Sequence, residues 1–174
     1  MNRDESHPEI GGRYAKFALT ILVVVYVFNF IDRQILSILA EEIQADLGIS
    51  DSGIGFLYGT AFAVFYSVVG IPLGRLADVW TRKNLISIGL ATWSFFTVLS
   101  GTAKSFFFLA FCRIGVGIGE SSASPSAYSL LSDYFSPKVR TTVLAIYSSG
   151  VYIGSGIGLF LGGAIVEYWL SLIH

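Results

Sequence analysis

Apolar residues run through this chain in five long blocks separated by short polar stretches, at about 14–40, 53–73, 85–103, 106–131 and 141–166. Each block is about the length of a bilayer crossing, which takes about 20 residues at a rise of about 1.5 Å. None shows the short alternating segments, of about ten residues, that mark a membrane β-strand. The pattern predicts an all-α membrane protein. A polar segment over 1–13 precedes a five-helix membrane domain over 14–166, and a short tail over 167–174 follows it.

The polar breaks predict helix ends and an orientation. Ser50 or Ser52 is placed to cap the second helix, and Ser136-Pro137 sets a capping hydroxyl before a first-turn proline. Arg3, Arg13 and Lys16 lie at the start, Arg75, Arg82 and Lys83 between the second and third blocks, and Lys138 and Arg140 between the fourth and fifth. The opposite side has Lys104 and the acidic residues Glu41, Glu42, Asp46 and Asp51. By the positive-inside rule the amino terminus is cytoplasmic and 167–174 lies outside, in a multi-pass protein of the plasma membrane. The polar leader is too acidic, and the first apolar block too long, for a cleaved signal peptide.

Composition agrees with this class. Hydrophobic residues make up 53% of the chain and charged residues 13%, about half the share in a soluble domain. The mean hydropathy is +0.68. A net charge of −1 gives no reason to expect nucleic acid. A lone cysteine, Cys112, excludes an intrachain disulfide framework, and His7 and His174 sit at the chain ends, so neither a metal nor a cofactor is expected.

The informative residues are the charges inside the apolar blocks: Asp32 and Arg33 in the first, Arg113 and Glu120 in the fourth. Each charge at membrane depth costs at least about 2.5–3.5 kcal/mol, so such groups face a protein interior or a wet cavity and have partners. Arg113 and Glu120 are seven apart and share a helical face, and Asn29 shares a face with Arg33. Counted from the predicted helix ends, Asp32 lies about 12 Å and Arg113 about 10 Å below one surface, nearly level, with Glu120 about 10 Å deeper and Tyr26 near it. Arg33 can stretch inward toward Glu120, although the gap is long without a bend. The four charges sum to zero, which favours mutual pairing. A carboxylate balanced between burial and a nearby arginine can bind and release a proton. The expectation is that Asp32 and Glu120 carry protons while Arg33 and Arg113 hold an anionic part of a substrate; purely structural pairing is the alternative. Gly115, Gly117 and Gly119 allow close helix approach, and Pro125 is placed to bend the fourth helix. Gly150, Gly154, Gly158 and Gly162 form a stripe that reads as a tight helix contact.

The segment Gly74-Arg75-Leu76-Ala77-Asp78-Val79-Trp80-Thr81-Arg82-Lys83, between the second and third blocks, resembles the G-x-L-A-D-r-x-G-R-K signature of the major facilitator superfamily, departing from it at Val79 and Thr81. Asn29-Phe30-Ile31-Asp32-Arg33 is similar to the N-x-x-D-R pattern of its spinster-like subfamily. The stretch from Arg113 to Ser122 resembles that subfamily's R-x-x-x-G-x-G-E-A/S-S, and Ser132-Asp133-Tyr134-Phe135 with Arg140 its next connection. Gly154-Ser155-Gly156-Ile157-Gly158 resembles its V-G-S-G-L-G segment. The antiporter signature of the fifth helix is met only in part, because Ser155 replaces proline and Leu159 replaces glycine.

The resemblance implies the first five transmembrane helices of a major-facilitator-type six-helix bundle, from a secondary transporter that moves a small organic or lipid-like solute. A sixth helix and the second transporter half are absent from the chain. Partners are then the solute, protons, the lipid bilayer and that missing half. Gly74, Asp78, Arg82 and Lys83 form a conformational motif, with Asp133 and Arg140 as partners for Arg82 and Asp78. The alternative is a truncated membrane protein with no transport activity of its own. An intramembrane enzyme is not expected: Ser124 and Ser126 have no histidine or lysine at membrane depth to activate them.

Overall fold

A computed structural model describes residues 11–173. They form helices α1 (Arg13–Ile38), α2 (Ala40–Leu47), α3 (Asp51–Val79), α4 (Arg82–Ser100), α5 (Phe106–Tyr134) and α6 (Pro137–Ile173), with no strand among the described residues. Four of these, α1, α3, α5 and α6, are long and apolar enough to cross a membrane. The 19-residue α4 is long enough, but Arg82, Lys83, Asn84 and its Ser and Thr residues dilute its apolar character.

Several helix ends differ from the expected ones. The first block breaks at Leu39, and Ala40–Leu47 forms a separate short helix, α2, ending on Gly48 in a left-handed conformation (φ 61°). Two alanines, two glutamates and a glutamine, all helix formers, explain why this polar stretch is helical rather than a loop. α3 starts at Asp51, where the Ser50 hydroxyl accepts from the Gly53 amide at 3.3 Å, and runs on to Val79. α6 begins at Pro137 and continues to Ile173, so residues 167–173 of the expected tail are helical. The expected polar segment 1–13 lies outside the described residues up to residue 10, and α1 has begun by Arg13.

Two irregularities shape the bundle. Phe56–Ala61 of α3 is a π-helical turn. α5 is interrupted at Ser122, one residue past the carbonyl that Pro125 cannot bond. The Ser121 and Ser122 hydroxyls donate to the carbonyls of Ile118 and Gly119 at 2.8 and 2.9 Å, which supports the break from within the helix.

Glycines set how closely the helices approach. The α6 stripe lies along α1: a Cβ at Gly154 would sit 2.5 Å from the Val27 carbonyl oxygen, and one at Gly158 2.7 Å from the Gln34 Cβ. The second contact joins α4 to α5, where a Cβ at Gly119 would lie 2.5 Å from the Trp93 amide nitrogen. These distances force the backbone apart, because the obstructing atoms are main chain or first side-chain atoms. A hydrophobic cluster of Ala15, Leu22, Ala127, Leu131, Val143 and Tyr147 ties α1, α5 and α6 together near their shared end. Gly154→Ala is expected to destabilise the protein by about 1–3 kcal/mol, as overpacking does. Gly156→Ala, with nothing within 4 Å of the added carbon, should leave thermal unfolding in detergent unchanged.

Candidate functional site

Side-chain direction decides which intramembrane charges meet. Every Cα–Cβ bond in a helix tilts toward that helix's amino terminus. α1 and α5 run antiparallel, because the start of α1 and the end of α5 pack together at Tyr14 and Tyr134. Arg33 on α1 and Glu120 on α5 therefore lean toward each other, and the depth difference is closed. They form an ion pair, with Arg33 Nε donating to Glu120 Oε2 at 3.0 Å and Nη2 donating to the same oxygen. Glu120 is 2% exposed. Arg33 also lies over the Phe62 ring, 4.5 Å from its centroid, and near Phe30 and Tyr66. The two outer contacts of a planar guanidinium are thus a carboxylate and aromatic faces.

Asp32 and Arg113 are brought to one cavity but not to each other. Their helices tilt them in opposite directions, and no ion pair joins them among the described residues. Asp32 instead accepts from the Trp93 indole N–H at 3.3 Å and the Thr97 hydroxyl at 3.2 Å, both on α4. Arg113, 5% exposed, donates to the Ser100 hydroxyl at 3.1 Å. Its Nε has no partner, and neither has Glu120 Oε1. Of the mutual pairing that four balanced charges favour, Arg33 and Glu120 form an ion pair while Asp32 and Arg113 do not: level Cα positions do not make level side chains.

Three small cavities line up along these charges. The first, about 140 Å³, contains Tyr26, Asn29, Arg33, Glu120, Ser124 and Tyr147. The second, about 280 Å³, is lined by Arg33, Glu120 and Arg113, with Tyr58 and Phe62. The third, about 300 Å³, holds Arg113, Ser100, Thr97 and Asp32. The Arg33–Glu120 pair borders the first two cavities, and Arg113 borders the last two. Tyr26 stacks on Tyr147 at 4.5 Å between ring centroids, fixing one wall of the first.

Trp93, Thr97 and Tyr58 were not among the expected site residues. Tyr58 sits on the π-helical turn and donates to the Leu36 carbonyl at 2.7 Å, which joins α3 to the last turn of α1. Their available signal was a polar tip at membrane depth in an otherwise apolar block. Charge alone was too narrow a filter.

The motif between α3 and α4 lies away from these cavities. Arg82 forms an ion pair with Asp133 and donates to the Ala77 carbonyl at 3.3 Å. Arg140 does not reach Asp78, which is exposed; it donates to the Ser132 carbonyl at 2.8 Å. That connection is therefore made to the end of α5, not across to α3. A Cβ at Gly74 would meet nothing within 4 Å, so close packing does not account for glycine there.

A helical bundle of membrane-spanning length, with one buried ion pair and further charges lining its cavities, defines a multi-pass membrane protein. The chain belongs to the Major Facilitator Superfamily, whose family model matches residues 22–172. It is 35% identical over 157 residues to an MFS-type efflux pump of Mycolicibacterium smegmatis, covering 90% of this chain and 37% of the relative. It is 34% identical over 152 residues to the sphingosine-1-phosphate transporter SPNS2 of Xenopus tropicalis, covering 86% of this chain and 29% of the relative. The structure superposes on the inward-facing, occupied crystal structure of a bacterial homolog of the human lysosomal transporter Spinster, with a TM-score of 0.84 and 39% identity over 88% of this chain and 33% of the other. The chain thus spans about a third of the length of these relatives.

Removing both donors to Asp32, by Trp93→Phe with Thr97→Val, leaves a carboxylate unsatisfied. Each lost donor is expected to cost about 1–3 kcal/mol. Denaturant unfolding in micelles checks this, and the Asp32→Asn background should recover part of the loss.

Proposed function

We propose that this chain forms part of the first bundle of a proton-coupled secondary transporter for a lipid-like, anionic solute. The observation that carries the reading is the run of charges lining three cavities that share wall residues, with a carboxylate oxygen and a guanidinium nitrogen left unpartnered at the buried Glu120 and Arg113. Asp32 is the main proton-coupling residue and Glu120 the second. Protonating Glu120 weakens its hold on Arg33, and an anionic substrate group in the second cavity then restores neutrality beside Arg33 and Arg113. Proton and substrate occupancy are linked through one local charge balance. Asn29 and Tyr26 supply polar contacts in the first cavity. The similarity to a relative named for sphingosine-1-phosphate supports an anionic, amphipathic solute.

The orientation proposed for this reading has the amino terminus in the cytoplasm of a cell-membrane protein and α4 as a fifth span, supported by the Lys and Arg distribution. Gly74, Asp78, Arg82, Lys83, Asp133 and Arg140 then form a cytoplasmic conformational latch, of which the Arg82–Asp133 pair is one arm. Reporter fusions at Lys83, Lys104 and Lys138 should read inside, outside and inside; a cytoplasmic signal at Lys104 contradicts the orientation.

A second reading, in which the isolated chain does not transport, is supported by its spanning 25–37% of its relatives' length. Alternating access rocks one bundle against another around a site between them. Saturable, gradient-driven uptake by the reconstituted monomeric chain would count against it. In a full-length transporter carrying these residues, Asp32→Asn should abolish pH-gradient-driven uptake while leaving substrate exchange. Glu120→Gln should weaken uptake and change its pH profile. Uptake by Asp32→Asn at the parent rate and with the parent pH dependence contradicts the proton role.

A further inference from the structure

We propose a second site, separate from the charged cavities: a groove for an anionic phospholipid at the end of the bundle where the basic residues gather. The groove, about 240 Å³, lies between α1, α4 and α5. Its trough is apolar, built from Phe17, Ile21, Leu22, Ile86 and Leu130. Phe17 is 62% exposed and Ile21 46%, so the trough opens on the outer face of the bundle, where acyl chains lie.

Its rim is polar and cationic. The Lys83 ammonium stands 4.9 Å from the Tyr14 ring centroid, and Tyr14 meets Tyr134 edge-on at 5.7 Å. Three elements thus deliver one ammonium and two phenols to a single mouth. The neighbouring cation, Arg82, is neutralised by Asp133, but Lys83 makes no ion pair among the described residues. No carboxylate lines the groove. Exposed Arg13 and Lys16 flank Tyr14 on α1 and add to the positive field. An uncompensated ammonium beside phenols, above an apolar trough, matches a lipid: phosphate at the rim, acyl chain in the trough. Basic pockets between membrane helices bind anionic headgroups in this way, at about 1 kcal/mol for each Lys or Arg near the surface.

The test is native mass spectrometry of the full 174-residue chain, released from nanodiscs of equal phosphatidylglycerol and phosphatidylcholine. Phosphatidylglycerol should be retained preferentially. Lys83→Gln should lower that preference about fivefold, the factor that one such charge implies, and Lys83→Arg should keep it. Lys104→Gln, at the other end of the chain's charge distribution, should not change it. Ser87→Trp fills the groove without altering charge and should release the lipid, which separates a built groove from a diffuse cationic surface. Equal retention of both lipids overturns the proposal, as does an unchanged preference in Lys83→Gln or in Ser87→Trp. Displacement of the lipid by inorganic phosphate alone would assign the rim to a free anion and overturn it too.

Discussion

The ion pair between Arg33 and Glu120 is the constraint around which the bundle is arranged. A carboxylate 2% exposed inside an apolar bundle is sustainable only with a cation in contact, since leaving one charge of a buried pair alone costs about 3–5 kcal/mol. The pair therefore fixes the relative height of α1 and α5. It also fixes rotation: Arg33 turns toward α5 and the Phe62 ring, which sends the adjacent Asp32 round to α4, where Trp93 and Thr97 receive it. Two consecutive ionisable residues thus address two different helices, and α1 becomes the hub of the structure.

The glycines make that geometry reachable. Gly154 and Gly158 let α6 lie on the α1 backbone, while Gly119 brings α5 against the α4 backbone at Trp93. Without a hydrophobic force between helices in lipid, such close approach and its dispersion contacts carry much of the packing. Between these tight contacts the bundle leaves room, and the room is where the charges are. Cavities of about 140–300 Å³ follow Glu120, Arg33 and Arg113 in turn.

The all-α class, the order of the apolar blocks and the glycine faces were legible because hydropathy and spacing report burial directly. The helix number was not: the described residues form six helices, four of them long and apolar enough to span, against five expected. The ends were less so: a polar stretch such as Glu41-Glu42 satisfies the rules for a loop and for a short surface helix alike. The pairing of charges was partly hidden for a geometric reason. Counting residues locates Cα atoms, whereas antiparallel helices tilt their side chains oppositely. That tilt brings Arg33 and Glu120 together across an apparent gap and separates Asp32 from Arg113 although residue counting puts them nearly level. Similarly, Asp133 was legible as the partner of Arg82, but Arg140 finds a carbonyl within its own connection, at Ser132, before it can reach Asp78.

A double-mutant cycle across Arg33→Gln and Glu120→Gln, read as unfolding free energy in micelles, tests the central constraint most directly. Each single change strands one charge and the double change strands none. The account predicts that the double variant is more stable than the sum of the singles allows, with a coupling of about 0.5–3 kcal/mol. Strict additivity, with no coupling between the two positions, would contradict it.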